Sequence, residues 1–246
     1  MLYIIPTPIG NLEDITLRAL DTLKKVDAIF CEDTRRTLNL MTHFGVSKPL
    51  FRYNEHNERS VANCMSWLRS GKSAALVTDG GSPCISDPGR KLVSCARAAG
   101  VKVVPLPGPS AVVTAAAGSG LPVDSFVFLG FLPRGKGKIV KALASAFSFG
   151  RTVILYESPH RIKKFLELVR DNFSDETKVV IAREISKIYE EFSDGTPSSL
   201  LGKFGDSQVK GEIVVLLYPP KDYASPDTDG GSSEEYGSEV PEDRFD

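Results

Sequence analysis

Short runs of apolar residues alternate along this chain with longer segments in which apolar positions recur every three or four residues. The run 74–77, Ala-Ala-Leu-Val, shows no polar alternation, which is typical of a strand that is buried on both faces. In the segment 14–25, Leu17, Leu20 and Leu23 share one helical face. Repeated strand–helix alternation of this kind predicts an α/β protein with a largely parallel sheet covered by helices.

The same pattern divides the chain into two units and a tail. Strands are predicted at 2–5, 28–31, 50–53, 74–78, 101–104, 126–129, 153–156, 179–182 and 212–218. Helices are predicted at 14–25, 34–44, 58–69, 88–99, 138–147, 161–172 and 198–204. The small residues at 115–120 predict a flexible boundary near 112–122. We therefore expect α/β domains over 1–114 and 115–220, with a ligand cleft between them, because clefts between domains favour ligand sites.

Charge is distributed unevenly over a composition that is otherwise ordinary. Hydrophobic residues make up 41% and charged residues 25% of the chain, as in soluble globular proteins. Residues 221–246 carry nine acidic and two basic side chains and few aliphatic ones, which predicts a disordered acidic tail. The remainder is mildly basic, which permits an anionic partner such as RNA without requiring one.

The sequence carries no pattern for export or membrane insertion. No apolar run approaches the roughly 20 residues of a membrane span. The first six residues lack the basic flank and cleavage site of a secretory signal. The four cysteines lie far apart, without metal-binding or redox spacing. We therefore expect a reduced cytoplasmic protein with no membrane association.

Turn-forming and polar residues gather where the predicted strands end, which is where α/β sheets hold their ligands. The loop 78–89 contains three glycines and two prolines, and glycine lets backbone approach a ligand closely, so we predict a ligand-binding loop here. The sequence has no Walker A motif, and its one short Gly-Ser-Gly run follows no strand. His43, His56 and His160 lack metal-ligand spacing, so we expect no metal site.

Eight short motifs occur in an order that identifies a resemblance to a known family. They lie at 7–12, 31–35, 54–58, 79–89, 107–111, 130–133, 156–161 and 182–184. Together they resemble the 16S ribosomal RNA cytidine 2'-O-methyltransferase family, within the tetrapyrrole-methylase superfamily. The resemblance extends from residue 1 to about residue 218.

This resemblance implies a fold, a cofactor and a reaction. It implies two α/β domains of the tetrapyrrole-methylase type, with S-adenosylmethionine bound in the cleft between them, and a homodimer. The implied reaction transfers a methyl group to the ribose 2'-oxygen of a decoding-centre cytidine in 16S rRNA. Many members continue into a small helical C-terminal domain associated with RNA binding, and here the acidic tail stands in its place.

Transferred position by position, the resemblance also implies a set of cofactor-binding residues. They are Pro8, Gly80, Gly81, Ser82, Pro83, Ile85, Ser110, Ala111, Glu157, Ala182, Gly211, Glu212 and Ile213. Ser82 departs from the family pattern, because relatives often carry aspartate there.

Methyl transfer to a ribose hydroxyl sets chemical requirements on the remaining residues. The hydroxyl is a poor nucleophile, so a neighbouring base helps the reaction, and cations hold phosphates or stabilise the developing alkoxide. The candidate bases, unranked, are Glu32, Asp33, His56 and Glu184. The candidate substrate-binding cations are Arg35, Arg134, Arg161, Arg183 and Lys187.

Two other functions remain open on the sequence. A tetrapyrrole C-methyltransferase requires a cleft for a macrocycle and has no RNA affinity. A non-catalytic RNA-binding module binds RNA but not S-adenosylmethionine. For the RNA methyltransferase, we expect the assembled 30S subunit rather than free 16S rRNA as substrate, because specificity then comes from the shape of the particle.

Overall fold

The computed structural model describes residues 1–204, 209–221 and 223. The first sheet is entirely parallel and has the strand order β3-β2-β4-β1-β5. Its strands are β1 (Leu2–Ile4), β2 (Ala28–Cys31), β3 (Leu50–Arg52), β4 (Ala74–Val77) and β5 (Val103–Pro105). The prediction of a parallel sheet is correct for this half of the protein.

Four helices cover the two faces of the first sheet: α1 (Leu17–Lys25), α2 (Thr34–His43), α3 (Glu58–Arg69) and α4 (Arg90–Ala98). Leu23 of α1 and Met41 of α2 pack on one face, in a cluster with Ile29 of β2. Leu68 of α3 and Leu92 of α4 pack on the other. Both faces are therefore buried, which explains the purely apolar central strands.

The second sheet has the order β6-β7-β10-β8-β9 and is mixed. Its strands are β6 (Phe126–Phe131), β7 (Thr152–Glu157), β8 (Lys178–Arg183), β9 (Glu191–Gly195) and β10 (Ile213–Tyr218). Only β6 and β7 are parallel; the three other pairings are antiparallel. The expectation of a parallel sheet is wrong here. Strand β9 is absent from the sequence-based prediction, because this edge strand is polar and pairs with β8 alone.

The segment predicted as a flexible boundary forms a helix, α5 (Ala111–Gly118). Val112, Ala115 and Ala116 are buried in a cluster with strands of the second sheet. A Cβ added at Gly118 would lie 2.8 Å from the ring of Phe192 in β9, so the small residues serve close packing rather than flexibility. The prediction of flexibility failed because runs of glycine and alanine occur both in flexible loops and in helices that pack closely against a neighbour.

The other face of the second sheet is covered by α6 (Lys136–Phe147), α7 (Ile162–Phe173) and α8 (Pro197–Phe204). The two sheets lie within residues 2–105 and 126–218, and the domain limits at 114, 115 and 220 stay a prediction. The predicted acidic tail falls outside the described residues apart from Lys221 and Tyr223. Within the described ranges, no helix has both the length and the apolar character needed to cross a membrane.

Candidate functional site

A cavity of about 400 Å³, called the cleft below, lies between the two sheets. It is bounded by the loops that follow strands of the first sheet and by the edge of the second sheet where β7 ends and β10 begins. The lining residues are Ile9, Arg36, Asp79, Gly80, Ser86, Asp87, Ala111, Phe131, Tyr156, Glu157, Ser158, Pro159, Ile185, Gly211, Glu212, Ile213 and Val214.

Six of the predicted cofactor-binding residues line the cleft. They are Gly80, Ala111, Glu157, Gly211, Glu212 and Ile213. Glu157 and Ile213 are direct partners in the antiparallel register of β7 and β10, which explains how residues far apart in sequence meet at one edge. The cofactor contacts themselves stay a prediction.

The other seven predicted residues surround the cleft. Pro8 lines a neighbouring cavity of about 330 Å³, which shares Arg36 and Asp79 with the cleft. Ala182 is fully buried and pairs with Val214, so it shapes the sheet behind the cleft. The remaining residues lie in the bordering loops: Gly81, Ser82, Pro83 and Ile85 after β4, and Ser110 before α5.

Hydrogen bonds hold the loops after β1 and β4 together. The N–H of Thr7 donates to the carbonyl of Gly81 at 3.0 Å, and the N–H of Gly81 donates to the carbonyl of Thr7 at 2.8 Å. Gly81 has a φ of +79°, a backbone conformation that favours glycine. The hydroxyl of Ser82 donates to the carbonyl of Pro109 at 3.4 Å, which adds the loop before α5. These bonds fix the backbone beside Gly80 and Ala111, which line the side of the cleft that we call its floor.

Asp79 and Asp87 line the cleft on the side of the first sheet, and Glu32 lies close enough to Asp87 to affect its pKa. Burial, with the nearby charges of Glu32 and Asp79, raises the pKa of Asp87 to about 6. Burial and the charge of Asp79 also raise the pKa of Glu32. Arg36 offsets part of this charge through an ion pair with Asp79 at 3.1 Å. Clustered carboxylates at partly buried positions favour a cationic ligand.

Two of the four candidate bases meet in a third cavity, of about 510 Å³, which we call the acidic cavity. Glu32 and His56 both line it, and it shares Ser86 and Asp87 with the cleft. The structure therefore places these two candidate bases next to the cleft, although they belong to loops after different strands.

Asp33, a third candidate base, has a structural partner instead. It occupies the N-cap of α2 and accepts a hydrogen bond from the N–H of Arg35 at 2.8 Å. Its carboxylate also pairs with the Arg35 guanidinium at 3.1 Å. These hydrogen bonds lower the pKa of Asp33 to about 2. Neither Asp33 nor Arg35 lines the cleft, and both act at the start of the helix.

Glu184, the fourth candidate base, is held by hydrogen bonds at the rim of the cleft. Its carboxylate accepts from the Lys187 ammonium at 2.8 Å and from the N–H of Glu212 at 2.8 Å, and these bonds lower its pKa. Lys187 also pairs with Glu212 at 3.1 Å. Gly211, with a φ of +93°, passes so close that an added Cβ would lie 2.5 Å from the Glu184 carboxyl carbon. A carboxylate held in this way is a poor base. Its bonds to Lys187 and to the N–H of Glu212 fix the rim, and we call this arrangement the Glu184 clamp.

The predicted substrate cations are mostly paired with acids. Arg161 binds the buried carboxylate of Glu157 through two bonds, at 2.6 and 3.1 Å. Arg183 pairs with Glu191 at 2.9 Å, and not with its neighbour Glu184. Arg134 is exposed and makes no ion pair within the described part of the chain. Among these cations, Arg134 is the one whose charge is available to a phosphate without breaking a contact.

Eleven further residues line the cleft without having been predicted as site residues, and the ionisable ones among them are Arg36, Asp79, Asp87 and Tyr156. Burial, with a smaller effect of Asp87, raises the pKa of Tyr156 to about 12, so its hydroxyl remains protonated. Asp79 and Asp87 lie near the two ends of the loop 78–89. The prediction of a ligand-binding loop there was the sequence signal for these two acids. Tyr156 begins the motif 156–161 and Arg36 directly follows the motif 31–35, so these motifs were the signal available for them.

Comparison with curated proteins finds close relatives that are named as ribosomal RNA methyltransferases. The "Ribosomal RNA small subunit methyltransferase I" of Vibrio cholerae is 50% identical over 226 residues, which cover 90% of this chain and 78% of that protein. The protein of the same name from Thermotoga maritima is 43% identical over 88% of this chain and 97% of its own length.

Family and structural comparisons agree on the fold. Residues 1–200 match the family described as Tetrapyrrole (Corrin/Porphyrin) Methylases. A cobalt precorrin-4 methyltransferase structure aligns with a TM-score of 0.65 at 20% identity, covering 88% of this chain and 94% of its own. A uroporphyrin-III C-methyltransferase of Thermus thermophilus complexed with S-adenosylhomocysteine aligns with a TM-score of 0.61 at 17% identity, covering 88% and 96%. At these identities, the two structures support the fold alone.

Proposed function

The chain belongs to the tetrapyrrole methylase family, as a relative of its small-subunit ribosomal RNA methyltransferases, and we propose that it methylates 16S rRNA with S-adenosylmethionine as the methyl donor. The acceptor in this proposal is the ribose 2'-oxygen of a cytidine in the decoding centre. The reaction takes place in the cytoplasm, where the small subunit is assembled.

The pair of acids that lines the cleft is the observation that supports the proposal most directly. S-adenosylmethionine carries a sulfonium and an ammonium group, and the cleft presents the carboxylates of Asp79 and Asp87. The cavity volume of about 400 Å³ lies in the range of small-molecule cofactor sites. Gly80 and Gly211 expose backbone groups in the lining, so polar parts of a nucleoside find partners there. The residues present therefore fit this cofactor.

The bound cofactor supplies the electrophilic methyl group, and the residues of this chain supply orientation and a proton acceptor. The loops joined by Thr7 and Gly81 fix the floor of the cleft, and the Glu184 clamp fixes its rim. Glu32 and His56 both line the acidic cavity, and we take Glu32 as the base because burial and the charge of Asp79 raise its pKa. The carboxylate of Glu32 takes the proton of the ribose hydroxyl as the oxygen attacks.

The curated relatives favour an RNA acceptor over a tetrapyrrole. Relatives that are 42 to 50% identical carry the ribosomal RNA methyltransferase name. The tetrapyrrole methyltransferases resemble this chain at 17 to 20% identity, where the fold alone is shared. These names also disfavour a non-catalytic RNA-binding module.

We propose the assembled 30S subunit as the substrate and a homodimer as the working form. Exposed apolar side chains support the dimer: Ile188 and Tyr189, in the loop after β8, are 95% and 73% exposed. Large apolar groups exposed together are typical of contact surfaces. Light scattering after gel filtration tests the dimer, and a monomeric wild-type protein at micromolar concentration contradicts it.

The central experiment uses unmodified 30S subunits and S-adenosylmethionine labelled in its methyl group. We expect label on one cytidine, in a dinucleotide that resists alkali because its 2'-oxygen is blocked. Free 16S rRNA and a short oligonucleotide of the same sequence serve as parallel substrates, and both should react more slowly. Label on a base, or no label while calorimetry shows cofactor binding, contradicts the 2'-O assignment. Equal rates on the oligonucleotide and the particle contradict the 30S assignment.

A further inference from the structure

A small groove lined by aromatic side chains lies at the β3 edge of the first sheet, outside the cleft. Its volume is about 280 Å³, and it is lined by Phe30, Phe51 and Trp67 together with polar residues that include Arg52 and Asn63. The Phe51 and Trp67 ring centroids are 5.3 Å apart with the planes tilted by 56°. Phe51 is 41% exposed, so part of its ring is open to a ligand. We call this feature the aromatic groove.

The aromatic groove is connected to the cleft through shared residues. Arg52 lines both the aromatic groove and the acidic cavity. Ser86 and Asp87 line both the acidic cavity and the cleft. The three cavities are therefore neighbours in a series, called the depression below, which leads from the predicted reaction centre to the β3 edge.

We propose that the aromatic groove binds a nucleobase of the RNA strand that carries the methylated nucleotide, as a subsite one or more nucleotides away from the reacting ribose. This inference rests on the proposed function and adds a place where the substrate strand is held. The exposed part of the Phe51 ring, with Trp67 beside it, offers a surface against which a base stacks, an interaction that tolerates any base. The exposed side-chain amide of Asn63 offers a donor and an acceptor to a base edge.

Charge along the depression suits a phosphate backbone. Arg52 makes no ion pair within the described residues and stands where two of the cavities meet. The Lys72 ammonium lies 4.1 Å from the centroid of the Trp67 ring, which keeps a second cation beside the groove. Cations beside stacking rings are the combination that binds single-stranded nucleic acid.

The test compares Phe51→Leu, which keeps an apolar side chain but removes the ring, with Phe51→Ala. The matched control is Phe149→Ala, which removes an exposed ring from the turn after α6. The first measurement is KM for unmodified 30S subunits. We expect both Phe51 variants to raise this KM roughly 5- to 150-fold, as expected for loss of one base stack. Cofactor affinity, measured by calorimetry, should remain within about twofold for all variants.

Trp67, the only tryptophan in the sequence, provides an independent readout. A single-stranded hexaribonucleotide of mixed sequence should quench its fluorescence in the wild-type protein and in Phe149→Ala. Phe51→Leu should weaken the binding of the hexaribonucleotide by roughly the same 5- to 150-fold as the expected change in KM. This titration requires no methyl transfer, so it tests the groove even if the wild-type enzyme leaves 30S subunits unlabelled. Unlabelled 30S subunits would contradict the proposed function, whereas they would leave the proposed role of the groove to be decided by the titration.

Two results overturn the inference. One is an unchanged KM in both Phe51 variants together with an unchanged hexaribonucleotide titration. The other is a change of oligomeric mass in the Phe51 variants with RNA affinity intact, which would make the groove a contact between protein copies.

Discussion

The carboxylate of Glu55 accepts a hydrogen bond from the backbone N–H of Gly89 at 2.7 Å and a second from the N–H of Lys91 at 3.1 Å. Glu55 lies just before α3, whereas Gly89 and Lys91 start α4, so a side chain from one loop caps a helix from another. Gly89 is the N-cap residue of α4 and has no side chain with which to do this. Because Asp87 lies two residues before Gly89, this cap also positions an acid of the cleft.

We expect Glu55→Ala to weaken both the fold and cofactor binding. Two N–H groups lose their acceptor and the positive end of α4 loses a neighbouring charge, which lowers the free energy of unfolding by about 1 kcal/mol. The loop that carries Asp87 then loosens, so Kd for S-adenosylmethionine rises several-fold. Urea denaturation and calorimetry measure the two effects. The control is Glu58→Ala, whose exposed carboxylate makes only a 3.7 Å pair with Lys91; equal losses in both variants would contradict the positioning role.

Asp87→Asn should stabilise the ligand-free protein at neutral pH while weakening the cofactor complex. Folding raises the pKa of Asp87 from its ordinary value of 3.8 to about 6. The native state therefore binds the proton more tightly than the unfolded state, and stability falls as pH rises from about 4 through about 6. Above that range the ionised carboxylate destabilises the fold, and asparagine removes this charge.

The same titration governs ligand affinity, with the opposite sign. A cationic cofactor prefers the ionised carboxylate, so its affinity should rise as pH increases through about 6, and this step should be absent in Asp87→Asn. Calorimetry across that pH range and thermal melts near neutral pH provide the measurements. Asp124→Asn, an exposed change outside the cleft, is the control. A wild-type pH step that persists in Asp87→Asn assigns the titration to another group.

Glu32→Gln and Asp33→Asn form a matched pair of adjacent substitutions. Of these two acids, only Glu32 lines the acidic cavity. Glu32→Gln should therefore lower kcat by roughly 10²- to 10⁴-fold, the usual effect of losing a general base. Asp33 caps α2, so Asp33→Asn should change thermal stability and leave kcat within a few-fold. Single-turnover methylation of 30S subunits measures both. If the two variants have equal rates, Glu32 is not the base.

Gly211→Ala should destabilise the rim of the cleft. The φ of +93° is strained for alanine, and the added Cβ meets the Glu184 carboxyl group, which is held by Lys187 and by the N–H of Glu212. We expect a loss of about 1–3 kcal/mol in unfolding free energy, measured by urea denaturation. Cofactor affinity should fall with it.

Gly137→Ala is the control for that substitution. Gly137 lies in α6, where an added Cβ meets nothing within 4 Å. Because alanine is the better helix former, this change should stabilise the protein by up to about 1 kcal/mol. Equal effects of the two changes would show that neither the positive φ of Gly211 nor its contact with Glu184 limits stability.

Local patterns in the sequence were sufficient to predict the first sheet and the loops around the cleft. The apolar strands β2 and β4 and the helices between them are evident within short windows of sequence. The loop 78–89 is recognisable from its glycines and prolines alone. Parallel strands put their carboxyl ends at one edge, so the general location of the cleft also follows from the sequence.

The partners of charged residues did not follow from the sequence. Asp33 is one of the two acids after β2 that the sequence offered as a base; it caps α2, a role its position before a helix also allows, and its carboxylate pairs with Arg35. Arg183 pairs with Glu191, which reaches it only because β9 lies beside β8. A motif shows which residue types are present, whereas their pairing depends on strand order.

What the sequence by itself determined is the alternation of elements, the ligand loop 78–89 and the family resemblance, since each is encoded in neighbouring residues. Tertiary structure alone decided the antiparallel pairings of β10, the packing of α5 on the second sheet and the raised pKa of Asp87. Strand direction, close helix packing and the desolvation of a carboxylate all depend on residues distant in sequence that folding brings together.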